Sequence, residues 1–142
     1  MSRENVEVVR AVIELNRSAN LHGEGSEAHI ESMLALWDAA GEYTSVMASV
    51  DSMTYRGHDE LRRYLGDLAE GLEDWRSEIE EIREAGPDTV FASIRTRVVG
   101  RGSGAPVEAQ LGVVFVLSEG KIVRGRTYPT RAEALEAVGL GE

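Results

Sequence analysis

Residues able to do acid, base, nucleophilic or metal chemistry are few in this chain. There is no cysteine, and the three histidines, His22, His29 and His58, form no H-x-x-x-H pair; no D-x-D spacing accompanies them. Thiolate nucleophiles, disulfides and Cys-based zinc or iron–sulfur sites are therefore excluded, and neither a metal nor a cofactor is expected. His22 falls in a loop and His29 on the exposed first turn of a helix. His58 follows Gly57 at a helix start, where a capping or solvated role fits better than catalysis. Asp38 reads as a helix-end turn residue. Two residues remain as catalytic candidates. Tyr43 places a hydroxyl in an alternating segment of β-branched, aromatic and small residues and is the best donor for a ligand hydrogen bond. Asp51, which with Tyr55 flanks the loop after that segment, is the most plausible leftover carboxylate, although Asp51-Ser52 is also an ordinary turn pair.

The elements that must position these residues follow from periodicity. A stripe of Val6, Val9, Val12 and Ile13 predicts a helix from about 3 to 19. Ile30, Met33, Leu34 and Trp37 predict a second, starting at Ser26 and ending near Asp38 to Gly41. Tyr43, Ser45 and Met47 alternate in a strand over 42–49, and Asp51-Ser52 turns the chain into a third helix after Tyr55-Arg56-Gly57, with Leu61, Tyr64, Leu65, Leu68 and Leu72 on its apolar side. Beyond Asp74, Trp75, Ser77 and Ile79 are in phase but Ile82 is not, which predicts a β-bulge near Glu80 or Glu81. Three more strands follow, through Val90 to Val98, Ala109 to Leu117 and Val123 to Thr127. Thr130 and Glu133 form a capping box for a last short helix that ends at Gly139.

Helices first and curved antiparallel strands afterwards define an α+β arrangement whose sheet wraps the helices as a cone. By strand phase, Tyr43, Ser45, Met47, Ile94, Thr96, Leu111, Val113, Phe115 and Thr127 point inward, with Trp37 and Leu65 closing the sides. Such a set suits a largely apolar organic ligand oriented by one or two hydroxyls, and it equally suits a packed core.

The chain has 142 residues, enough for one domain, 1–142, burying roughly 70% of its unfolded surface. Its net charge of -10 opposes phosphate backbones and anionic membranes, so no nucleic-acid or membrane partner is expected. No apolar run approaches a membrane span, and the charged first ten residues do not read as a signal peptide, which predicts a soluble, cytoplasmic protein.

The element order, with YRGHDELRRYL after the first strand, LSEGKIVRGRTY in the last hairpin and TRAEALEAVGL at the end, resembles the SnoaL-like family of the nuclear transport factor 2 (NTF2)-like superfamily. The resemblance implies a cone-shaped NTF2-like (cystatin-like) fold and a pocket in the cone. It also implies where isomerases of this kind would carry their chemistry. The base position falls on Ser45 or near Ala48, the oxyanion donor on Val113 and the first-helix tyrosine on Ala11. None of these can serve. An epoxide hydrolase would need an inward Asp-Arg-Asp set, which the inward phase of the central strands does not offer.

The expected function is accordingly to bind a small, largely apolar organic molecule. The alternatives are an isomerase-, dehydratase- or cyclase-type enzyme, cofactor-free, using Tyr43 or Asp51, and a filled-core interaction protein. The resemblance further implies a homodimer through the convex sheet face, where Arg95, Arg97, Arg101, Arg124 and Arg126 are interspersed with Phe91, Val99 and Val114. A cross-strand pair of Arg97 with Glu108 is the alternative use of that face.

Overall fold

The computed structural model describes residues 2–15, 26–45, 53–100, 102 and 104–139. The order is α1 (Ser2–Leu15), α2 (Ser26–Leu34), β1 (Trp37–Ser45), β2 (Met53–Arg56), α3 (Gly57–Gly71), β3 (Leu72–Gly86), β4 (Thr89–Gly100), β5 (Pro106–Ser118), β6 (Lys121–Tyr128) and α4 (Arg131–Ala137). The strands form one sheet in the order β2-β1-β6-β5-β4-β3, antiparallel except where β1 runs parallel to β6. His22, Met47, Asp51, Arg101 and residues 16–19 of the expected first helix lie outside the described residues.

The bulge expected in β3 is present. Ile79 pairs with Ile94 and Glu81 with Ser93, leaving Glu80 as the extra residue that bends the strand. Ile82 thereby returns to the inner side and packs against the main core. The concave face of the curved sheet receives Val9, Val12 and Ile13 of α1, Met33 and Leu34 of α2, and Leu61, Tyr64, Leu65 and Leu68 of α3. On the opposite face α4 covers Phe91 with Ala134 and Leu135. A Cβ at Gly112 would collide with Ala134 and stand 3.1 Å from the Thr130 carbonyl, so glycine there lets α4 lie on β5. Thr130 caps α4 by accepting from the Glu133 N–H at 3.1 Å, and its hydroxyl donates to the Glu133 carboxylate.

Three boundaries differ from the periodicity reading. Trp37 opens β1 instead of closing α2, because its segment is taken up by β6: Ile122 N donates to Leu36 O at 2.9 Å and Trp37 pairs with Ile122. Sheet pairing thus overrides helical spacing over residues 35–41. Asp38 still makes a local turn, accepting from Ala40 N at 2.9 Å. The unforeseen β2 pairs Met53–Arg56 with β1 before α3 begins, and Leu72 starts β3 instead of extending α3. Phe91 is fully buried beneath α4, which removes it from the convex surface where it was expected. His29 is half-buried and hydrogen-bonded to the Leu15 carbonyl, not exposed, and so ties α2 to the end of α1. His58 is also tied down, its Nε2 lying 3.0 Å from the Trp37 carbonyl.

Candidate functional site

The concave face and α1–α3 enclose a cavity of about 60 Å³. By comparison with the 10–15 Å³ one water requires, it accommodates roughly four to six water-sized groups. Its walls come from every layer: Val12 and Ile13, Met33 and Leu34, Trp37 and Tyr43, Leu61, Tyr64 and Leu65, Trp75 and Ser77, Ile94 and Thr96, Leu111, Val113 and Phe115, and Thr127. None of these is an aspartate, glutamate, histidine, lysine or arginine.

An aromatic series runs along one side. Trp37 meets Phe115 and Tyr43 edge-on, at centroid distances of 6.1 and 5.9 Å, and Tyr43 meets Tyr64 at 5.3 Å. Gly125 makes room for it, since a Cβ there would come within 2.8 Å of the Phe115 ring and 3.0 Å of Trp37. The hydroxyls of Tyr43 and Tyr64 converge with Ser45 and Thr127. Ser45 Oγ lies 3.2 Å from Tyr64 OH, and Thr127 Oγ1 donates to the Thr44 carbonyl at 3.4 Å. Burial raises the Tyr43 pKa above the usual phenol value, partly offset by hydrogen bonds from its neighbours. Tyr64 is pushed up further, by burial first and the proximity of Tyr43 second. Both phenols are therefore neutral near pH 7 and can donate to an acceptor.

A second polar group sits on the β3 side. Ser77 and Thr96, a cross-strand pair, bring their hydroxyls to 3.2 Å while both are buried. On the same face of β3, two residues before Ser77, the Trp75 indole Nε1 is buried without a hydrogen-bond partner.

Of the residues expected inside the cone, Trp37, Tyr43, Leu65, Ile94, Thr96, Leu111, Val113, Phe115 and Thr127 stand on the cavity wall. Ser45 is fully buried but holds Tyr64 instead of lining the wall. The sequence reading did not place Tyr64, Trp75 or Ser77 at the site. The available signals were a hydroxyl on the apolar side of α3 and a serine in phase with Trp75 and Ile79 on β3. Where the resemblance puts an isomerase's oxyanion donor, Val113 is buried between Ala92 and Thr127 on neighbouring strands. Among the described residues no group of three His, Asp or Glu side chains is arranged to hold a metal ion.

A curved six-stranded sheet packed over three helices, enclosing a chamber at its concave face, is the NTF2-like fold. Solved structures share it over nearly the whole chain. An NTF2-like protein from Burkholderia thailandensis superposes with a TM-score of 0.72 at 22% identity, covering 95% of this chain and 98% of that one. An LEH-like epoxide hydrolase from M. tuberculosis gives 0.68 at 14% identity, covering 96% and 90%. A protein of ketosteroid isomerase-like fold from Catenulispora acidiphila, solved in complex with trimethylamine, gives 0.64 at 15%, covering 78% and 82%. Within this fold the chain belongs to the SnoaL-like domain family, whose model matches residues 24–125. No curated protein matches it in sequence. Among the described residues no helix is long and apolar enough to cross a membrane.

Proposed function

We propose that this SnoaL-like chain, acting as one domain over residues 1–142, binds a small, uncharged, largely apolar organic molecule in the cone. The carrying observation is the cavity wall itself, which among the described residues is apolar apart from neutral hydroxyls and the indoles of Trp37 and Trp75, with no carboxylate or imidazole to exchange a proton. A charged ligand would lose its hydration there and find no counter-charge. The volume of about 60 Å³ favours ligands of about half a dozen heavy atoms over steroids.

Two other readings have specific support. Tyr43 and Tyr64 are neutral donors that could polarise a bound carbonyl, which favours an isomerase- or lyase-type activity with Tyr43 as its catalytic candidate. The smallness of the cavity favours a filled-core interaction protein. A thermal-shift screen separates binding from that last reading, because saturating a native-state site at a hundred times its dissociation constant adds about 2.7 kcal/mol. Shifts from small neutral compounds support the pocket, and no shift from any of them, or from steroids and terpenoids, contradicts it.

We further propose homodimerisation through the convex face. Arg124 and Arg126 are exposed there and Val99 and Val114 half-buried, while Phe91 is excluded by its burial. Arg95 and Arg97 already meet Glu80 at 2.9 Å and Glu108 at 3.9 Å within the chain. Sedimentation giving twice the 15.5 kDa chain mass supports the dimer, and a single-chain mass refutes it.

A further inference from the structure

The indole of Trp75 presents a hydrogen-bonding mismatch that the fold does not resolve. Its side chain stands in the cavity wall, the residue is 4% exposed, and Nε1 has no partner. Buried donors are nearly always satisfied, because an unmade bond forfeits the hydration given up on folding. Among the described residues one other buried side-chain atom lacks a partner, Ser93 Oγ, and Ser93 is not on the cavity wall. Trp75 lines the chamber while its donor is unmatched, so the chamber is the space from which an acceptor can reach it.

Its position suggests how. Trp75 and Ser77 project from the same face of β3, an edge strand of the sheet. Ser77 borders the central cavity and also an outer groove between α1 and β3, formed by Arg10, Glu14, Glu78 and Ile79. At Ser77 the chamber therefore comes closest to the surface groove, one strand period from the unpartnered N–H. Water is a poor occupant beside Nε1. Buried waters need two to four polar partners, and the Ser77 and Thr96 hydroxyls on this side of the wall already spend one hydrogen bond on each other. An oxygen carried on an apolar body needs only one donor, and its body can pack on Ile94 and Leu111 of the same wall. The indole can donate but not accept, so the ligand atom it meets must be an acceptor, and a carbonyl oxygen is one that brings no donor of its own to be matched. With no charged side chain on the wall among the described residues, the ligand is neutral.

We propose that Trp75 is the specificity-determining residue of the chamber, donating its indole N–H to the carbonyl oxygen of a small neutral ketone, ester or amide that enters between α1 and β3. This rests on the pocket reading above and adds to it the ligand's functional group and the residue that recognises it.

The test compares cyclopentanone with methylenecyclopentane, which match in size but differ in the acceptor, using the full-length protein. Affinities are measured by titration while the indole N–H resonances are followed by NMR. The chain has two tryptophans, so assignment requires only Trp75→Phe or, should that variant not fold, Trp37→Phe. The proposal expects the ketone to bind about threefold to tenfold more tightly, as one neutral hydrogen bond allows, and to move the Trp75 N–H resonance downfield. In a folded Trp75→Phe protein the preference disappears and binding of the alkene persists. Equal binding of the two probes with the Trp75 resonance unmoved overturns the assignment and leaves the pocket standing. Binding of neither probe overturns the pocket reading and the assignment with it.

Discussion

Ser45 Oγ on β1 and Tyr64 OH on α3 lie 3.2 Å apart inside the core. Ser45 is one of the positions where resemblance to isomerases would put a carboxylate base, and here it anchors a phenol instead. The pair ties the helix to the strand and keeps that end of the chamber uncharged. Tyr64→Phe removes the bond with little change in volume, and Ser45 retains another interaction. The expected loss of stability is about 1 kcal/mol by denaturant unfolding, with the fold retained.

Ser77 and Thr96 should behave differently. Each is buried, and their 3.2 Å contact is the hydrogen bond the structure gives their hydroxyls. Thr96→Val leaves Ser77 Oγ buried and unmatched, at an expected cost of about 1–3 kcal/mol. Adding Ser77→Ala removes the stranded group as well, and the double variant should recover part of that loss. A double-mutant cycle of unfolding free energies measures the coupling, and purely additive losses would show that the two hydroxyls do not act as a pair.

The raised pKa values of Tyr43 and Tyr64 set a pH dependence whose sign is fixed. Both groups bind their protons more tightly when folded, so their contribution is complete below the unfolded phenol pKa of about 10 and is lost as pH rises through the folded values. Stability should therefore fall on the alkaline side of about pH 10. Tyr43→Phe and Tyr64→Phe should each flatten that fall. Phenolate absorbance followed together with unfolding checks it, and ionisation of all four tyrosines near their ordinary pKa without unfolding would contradict it.

Much of this arrangement was legible in local pattern, and the exceptions have specific causes. Two-residue alternation placed Ile94, Thr96, Leu111 and Val113 on one wall because strand phase is a property of neighbouring residues. The lost phase between Ile79 and Ile82 located the bulge for the same reason. Trp37 was misassigned to α2 because its spacing from Met33 and Leu34 is helical. Its true partner, Ile122, is remote in sequence. β2 is only four residues long, too short for alternation to declare itself. Tyr64 and Trp75 read as ordinary core because a hydroxyl or indole on an apolar face acquires its meaning only from what lies across the cavity. The unpaired Nε1 of Trp75 is likewise a three-dimensional fact, the lack of a hydrogen-bond partner among the described residues.

The account depends most on the chamber being uncharged and able to admit a ligand. The most direct measurement is a calorimetric titration of cyclopentanol against the equally sized cyclopentylammonium ion, at a pH where the phenols are neutral. The account predicts saturable, one-to-one binding of the alcohol and no detectable binding of the cation in the chamber. Equal or tighter binding of the ammonium ion, abolished by a substitution in the chamber wall, would mean that the cone holds a charge this structure does not place there, and would contradict it.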